Sequence, residues 1–142
     1  MEEATIRQLI AAALAQRTQA YAPYSHFQVG AALLAQNGCI YTGCNIENAA
    51  YTPTNCAERT AFFKAVSEGV RDFSAIAIVG GPEGAAPSAY TAPCGVCRQV
   101  MQEFCAPEAF TIILARSEND YRLTTLSALL PAGFGPESLS GI

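Results

Sequence analysis

Apolar residues recur at Ile6, Leu9, Ile10, Ala13 and Leu14. That spacing lays one stripe along one face of a helix, so an amphipathic helix is expected over residues 4–20. Ala22-Pro23-Tyr24-Ser25 breaks it, because proline disfavours helix at its own position and at the one before. Phe27–Gln36 reads as a strand, Asn37-Gly38 as a two-residue hairpin turn, and residues 39–46 as the returning strand. Thr54 or Asn55 can cap a helix over about 56–68 that ends at Gly69. Ser74–Gly80 carries the unbroken run Ala-Ile-Ala-Ile-Val, the composition of a strand buried on both faces. Residues 80–92, rich in Gly, Pro, Ala and Ser, form a loop. A third helix starts near Pro93 or Cys94, since proline suits a first helical turn. Phe110–Ala115 is another buried strand, 121–123 a short last strand, and 125–130 a last helix stopped by Pro131.

The order α-β-β-α-β-α-β(-β)-α predicts an α/β protein: a mixed sheet of about five strands between helices on both faces, in three α/β/α layers. No repeat, linker or low-complexity tract divides the chain, so a single domain over residues 1–142 is expected. Composition adds two restrictions. The chain is 51% hydrophobic and 14% charged, which is apolar for a small monomer and points to surface covered by other subunits. Its net charge is −4 and its eight Lys and Arg are scattered, whereas a chain that grips a phosphate backbone shows a basic patch. A polynucleotide partner is therefore not expected. Neither is a membrane: no apolar run approaches the roughly 20 residues that a spanning helix needs. The acidic opening Met1-Glu2-Glu3 lacks the basic stretch and apolar core of a signal peptide, so the expected location is cytoplasmic.

The chemistry lies in the cysteines. There are six, at 39, 44, 56, 94, 97 and 105, and in a cytosolic protein such a set more often means metal or catalysis than disulfides. Two clusters stand out, Cys56-Ala57-Glu58 and Pro93-Cys94-Gly95-Val96-Cys97. Cys56 falls at one expected helix start, and Cys94 and Cys97 at another. A helix N-terminus favours thiolate, and positions three apart share a face. Three thiolates leave one position of a tetrahedral zinc open, which is the arrangement of a catalytic site. Thiolates favour zinc over hard cations. Two plainer readings compete: a redox pair at Cys94-x-x-Cys97, and a closed structural zinc with a fourth ligand from Cys39, Cys44 or Cys105. A redox pair usually follows a first strand, and here the motif comes late with a partner cysteine upstream. Glu58, two residues from Cys56, reads better as a catalytic acid than as an exposed first-turn carboxylate. Cys39, Cys44 and Cys105 are expected as small core residues, and His26 as a surface or core residue.

The chain resembles the small, homotetrameric, zinc-dependent cytidine deaminases along nearly its whole length. The matching blocks run from Tyr24 to Leu33, Gly43 to Tyr51, Asn55 to Ala61, Pro93 to Gln99 and Leu129 to Phe134, in that order. The resemblance implies one zinc per subunit on Cys56, Cys94 and Cys97, with Glu58 shuttling protons. It implies that the Ala57 N–H meets the pyrimidine O2, that Phe27 packs on the base, and that Asn45 and Glu47 hold the ribose 3′-hydroxyl. Tyr51 and Phe134 would reach a neighbouring subunit's site. Within the family the segment around Phe134 varies, and that placement follows least directly. The implied reaction is hydrolytic deamination of cytidine and 2′-deoxycytidine to uridine and 2′-deoxyuridine plus ammonia, a step of pyrimidine salvage.

The residue types suit that chemistry. Zinc acidifies a bound water, a positioned carboxyl can move protons between water, N3 and departing ammonia, and Phe27 with Asn45 and Glu47 supplies an apolar pocket with a few polar groups. Three thiolates on Zn²⁺ leave the site at net −1; Arg59, in the first turn of the same helix, is expected to offset that charge by hydrogen-bonding to sulfur. Three alternatives remain at this point. A deaminase of a cytosine-containing antibiotic shares the zinc clusters, but Phe27-Gln28-Val29-Gly30 and Phe134 favour the nucleoside enzyme. Acidity and short length argue against an enzyme that edits polynucleotides, and Glu58 against a non-catalytic zinc scaffold.

Overall fold

The computed structural model describes residues 1–139; the last three residues of the expected domain lie outside the described residues. The chain runs α1 (Glu3–Arg17), β1 (Phe27–Ala35), β2 (Ile40–Cys44), α2 (Ala57–Ser67), β3 (Phe73–Pro82), α3 (Gly95–Phe104), β4 (Thr111–Ser117), β5 (Asp120–Thr125) and α4 (Leu126–Leu129), followed by a 3₁₀ turn at Pro136–Ser138. The strands form one sheet in the order β2-β1-β3-β4-β5. β1 pairs antiparallel with β2 and β3, β3 pairs parallel with β4, and β4 pairs antiparallel with β5. Its one parallel pair needs a crossover connection, and α3 provides it.

From Ala75 onward the side chains of β3 alternate between two cores, as the two-residue period of a strand requires, and a register irregularity between Phe73 and Ala75 turns the Phe73 ring to the side of Ile76. Phe73, Ile76 and Ile78 face α2 and α3 with Ala61, Phe62 and Met101. Ala75, Ala77 and Val79 face α1 with Ile6, Leu9, Ile10 and Ala13. The sheet thus lies between helices on both faces, in the three layers that the apolar spacing predicts. Phe62, fully buried, centres one core, with the rings of Phe73, Phe104 and Phe110 at 5.0–6.3 Å. Gly43 sets how closely α2 approaches. A Cβ there would stand 2.3 Å from the Ala57 carbonyl oxygen, so only glycine lets the first turn of α2 press onto β2.

Three local expectations change. The hairpin loop holds three residues, Gln36–Gly38, because Gly38, at φ 90, donates back to the Ala35 carbonyl and the ladder closes between Ala35 and Cys39. A left-handed glycine at the third loop position is the next commonest way to join two strands. Cys39 in consequence lies exposed just after the loop instead of in the core, while Cys44 and Cys105 are buried as expected. The N-cap of α2 is Cys56 itself, not Thr54 or Asn55. Asn55 instead pairs with Ile46 through both backbone groups and donates its side chain to Thr60 Oγ1. Among the described residues no helix is long and apolar enough to cross a membrane.

Candidate active site

Two helix N-termini meet beside the sheet. Cys56 is the N-cap of α2 and Cys94 the N-cap of α3, both extended and neither using its side chain as a cap. Their sulfurs are therefore free to bind elsewhere. Cys97 follows one turn into α3 and is 1% exposed. Thr60 fixes the start of α2, its hydroxyl lying 3.1 Å from the carbonyl oxygens of both Cys44 and Cys56.

The three sulfurs all lie within 4.8 Å of one another, and no other such cluster occurs among the described residues. Cys56 and Cys94 are 3.7 Å apart, Cys94 and Cys97 3.5 Å. Sulfurs bound at roughly 2.3 Å to one tetrahedral ion stand about 3.8 Å apart, so the cluster fits zinc in spacing as well as in ligand softness. The local field favours thiolate at Cys56 and the thiol at Cys97. A hydrogen bond from the Cys97 thiol, aided by Arg59 and Cys94 against the cost of burial, brings Cys56 down to about 5. That same bond, with burial, pushes Cys97 upward. Arg59 Nη2 donates to Cys56 Sγ at 3.3 Å. Burial works against the charge of Arg59, but bonds to the two sulfurs outweigh it and raise its pKa. Cys39, Cys44 and Cys105 lie outside the cluster, so among the described residues no fourth cysteine closes the site. His26 is exposed and paired with Glu83 at 3.2 Å.

Glu58 sits in the first turn of α2, 4% exposed. Burial pushes its carboxyl up to about 7. It borders a cavity of about 200 Å³ with Val29, Asn45, Thr54, Asn55, Cys56, Ala57, Thr91, Ala92 and Cys94. A second cavity of about 460 Å³ is lined by Tyr24, Ser25, Glu47, Tyr51 and Thr54. The first alone is smaller than the roughly 300–1,000 Å³ of small-ligand sites; the second, sharing Thr54 with it, brings the pair into that range.

Asn45 spans the start of β1: its amide donates to the Phe27 carbonyl at 2.8 Å and accepts from the Val29 N–H at 2.9 Å. An amide offers two donors and two lone pairs, so each end keeps a place for a ligand. The Phe27 ring, 38% exposed, lies against the face of Gly80, where a Cβ would meet both that ring and Thr91. Glu47 is held by the turn before β1. One carboxylate oxygen accepts from the Tyr24 and Ser25 N–H groups and the other from the Ser25 hydroxyl. The Ser25 bond holds its carboxyl below the ordinary value despite partial desolvation.

The chain therefore gathers Cys56, Cys94, Cys97, Glu58, Ala57 and Asn45 around one cavity and Glu47 and Tyr51 around a second, with Thr54 on the wall of both; Phe27 lines neither. Tyr51 is 71% exposed, its backbone left-handed at φ 63, its ring edge-on to Tyr24 at 5.9 Å. Phe134 is 60% exposed and lines neither cavity; its carbonyl accepts from Gln99. Sequence reasoning missed Thr91 and Ala92 as lining residues, though their place just before Cys94 could have signalled them. It took Thr54 only as a cap.

A family model described as the cytidine and deoxycytidylate deaminase zinc-binding region matches residues 3–113. The chain is 54% identical to a cytidine deaminase of Sporosarcina psychrophila, covering 95% of each. It is 50% identical to one of Halalkalibacterium halodurans, over 93% of this chain and 96% of that one. A crystal structure of the cytidine deaminase from Burkholderia pseudomallei superposes with a TM-score of 0.81 at 48% identity, over 89% of this chain and 97% of that one.

Proposed function

The chain belongs to the cytidine and deoxycytidylate deaminase zinc-binding family, and from that premise we propose that it deaminates cytidine and 2′-deoxycytidine hydrolytically, releasing uridine or 2′-deoxyuridine and ammonia. One observation carries the reading. A buried carboxyl that titrates near neutrality stands beside three convergent cysteine sulfurs at the wall of a cleft. Cys56, Cys94 and Cys97 would hold one zinc per subunit, which would supply an acidified water as nucleophile. Glu58 takes a proton from water and delivers it to N3 of the pyrimidine as the water oxygen bonds to C4; it then takes the remaining proton of that new hydroxyl and gives it to the amino nitrogen, so that the C4–N bond breaks and leaves the C4 carbonyl and ammonia. A pKa near 7 lets it do both at neutral pH.

The other roles, that of Arg59 apart, are those that the family resemblance implies. The Ala57 N–H, one of the first-turn donors that a helix leaves unpaired, binds the pyrimidine O2. Phe27 packs against the base. Asn45 and Glu47 keep spare hydrogen-bonding capacity after holding β1 and its turn, and bind the ribose 3′-hydroxyl. Arg59 offsets the negative charge of the thiolates. The exposed Tyr51 and Phe134 rings support a homotetramer in which neighbouring subunits complete each site, built from one domain per chain. A cytoplasmic role in pyrimidine salvage fits the free nucleoside substrate.

The test is direct. Zinc-loaded protein mixed with cytidine should change the ultraviolet absorbance as the 4-amino group is lost, with uridine and ammonia recovered in equal amounts. Unchanged cytidine after prolonged incubation would overturn the reading.

A further inference from the structure

Two walls of the cavity beside Glu58 meet at the cysteine sulfurs. Ala57 and Glu58 stand on the first, at the start of α2; Cys94, with Ala92 and Thr91 before it, stands on the second, at the start of α3. Thr91 is half-buried and its side chain rests on β3. It can do so because residue 80 is glycine: a Cβ there would stand 2.6 Å from Thr91 Oγ1 and 3.1 Å from the Phe27 ring. Thr91 and Phe27 thus share the bare surface of Gly80. Tyr90 anchors the same segment to the sheet edge. Its ring lies between the guanidinium groups of Arg116 and Arg122, each 4.6 Å from the ring centre, and its hydroxyl donates to the Asp120 carboxylate. Seated on Gly80 and anchored next door at Tyr90, the Thr91 wall gives way little to a larger ligand.

A pyrimidine bound as proposed presents its atoms to these walls in ring order. O2 meets the Ala57 N–H, N3 meets Glu58, and C4 meets the water at the sulfurs. The next ring atom past C4, on the side away from N3, is C5. The wall that continues past the sulfurs, away from Glu58, is the one that Ala92 and Thr91 form, and of these two only Thr91 carries a branched side chain. From these placements we infer that Thr91 is a specificity-determining residue: its side chain borders C5 of the base and limits the size of the substituent carried there. The substrates admitted are then cytidines with hydrogen or a small group at C5. The assignment rests on the proposed nucleoside reaction and deepens it, and it concerns the base alone.

The experiment measures kcat/KM for cytidine, 5-bromocytidine and 2′-deoxycytidine in the parent and two variants. Thr91→Ala cuts the side chain back to Cβ; Thr91→Val keeps the branch and removes the hydroxyl. The electronic effect of bromine on C4 is the same in each protein, so it cancels when the ratio of 5-bromocytidine to cytidine is compared between them. In Thr91→Ala that ratio should rise roughly tenfold, the worth of about one methylene-sized space in a pocket. In Thr91→Val it should stay within about twofold of the parent's, since the volume is kept. The ratio of 2′-deoxycytidine to cytidine should stay at the parent's value in both. An unmoved bromo ratio in Thr91→Ala overturns the assignment. So does an equal rise in Thr91→Val, which would place the effect in the hydroxyl, or a rise shared by the 2′-deoxycytidine ratio, the mark of a site loosened throughout. A parent protein that deaminates neither cytidine nor 2′-deoxycytidine overturns the nucleoside reading itself, a failure distinct from an unmoved ratio.

Discussion

The two ends of the cleft are built by opposite means. At the Cys56–Glu58 end the groups that do chemistry are sunk into the chain: Glu58 is 4% exposed and Cys97 1%. Each sits at a helix start that the sheet holds in place. At the Glu47–Tyr51 end the polar group is tied to an exposed turn, and the Tyr51 ring stands in solvent, 71% exposed; Phe134, 60% exposed, lies outside both cavities. The difference follows from what each end must do. Tuning a carboxyl to about 7 requires burial, since water would return it to the carboxylate range. Gripping a sugar requires only a few donors and acceptors and something to cover it. The first end is walled by buried groups of one chain, and the second stands open to solvent.

The largest expected effect lies at the buried end. Glu58→Gln keeps the size and removes the proton carrier, so kcat should fall roughly 10²–10⁴-fold while the zinc content of the purified protein stays at that of the parent. Near-normal turnover with full zinc would break the contrast between the two ends. Stability should move the other way. Burial raises the Glu58 carboxyl from 4.5 to about 7, so between those values the folded state holds a proton that the unfolded state has lost. Stability from this group is then present at low pH and declines as pH rises toward 7. Glutamine cannot ionise. Thermal melts at pH 5 and pH 8 should show the parent losing more stability over that interval than Glu58→Gln does.

Arg59 tests whether the buried end also manages charge. Its Nη2 reaches Cys56 Sγ at 3.3 Å, and three thiolates on Zn²⁺ leave net −1 to offset. Arg59→Gln should lower kcat/KM by roughly tenfold to a hundredfold, the range for a hydrogen bond to a charged group. It should also raise the pH at which kcat/KM reaches its plateau, because a more negative site gives up a proton less readily. Cys56→His removes one negative charge, so the double variant should recover activity over at least one single variant. Strictly additive losses would show that Arg59 does not balance the thiolates.

How far the sequence could be read divides along the same line. Cys56, Glu58, Cys94 and Cys97 are separated by two or three residues within each cluster, so local spacing alone placed them on first turns, and the fold brought the turns together. The apolar run in β3 and the heptad-like stripe of α1 likewise predicted burial on both faces and on one. What spacing does not carry is the exact closure of a turn or the partner of an exposed side chain. The extra loop residue that exposes Cys39 depends on Gly38 turning left-handed at the third position. Thr54 reads as a cap in the chain, but the bridge between Ile46 and Asn55 moves the helix start to Cys56 and turns Thr54 toward the cleft. That bridge joins residues nine apart through backbone groups, which no pattern of side chains reveals.

The smallest expected effect belongs to the exposed end and is the most discriminating for assembly. In a single chain Phe134 lines neither cavity, so truncating it should then change nothing in catalysis. If the ring covers the sugar of a nucleoside bound to a neighbouring subunit, Phe134→Ala removes apolar contact made equally before and during reaction. Such a loss raises KM and leaves kcat nearly untouched. A rise of roughly threefold to tenfold is expected for a ring that is only partly enclosed, since full burial of such a side chain is worth about 1.5–3 kcal/mol. Zinc content and the Glu58-dependent pH profile should stay at the parent's values, because that end needs no neighbour. Light scattering on the same samples should give the mass of four 15.0 kDa chains for the parent. A parent that runs as one chain, or a Phe134→Ala variant with unchanged KM in an intact tetramer, would show that the exposed end is not completed by this ring.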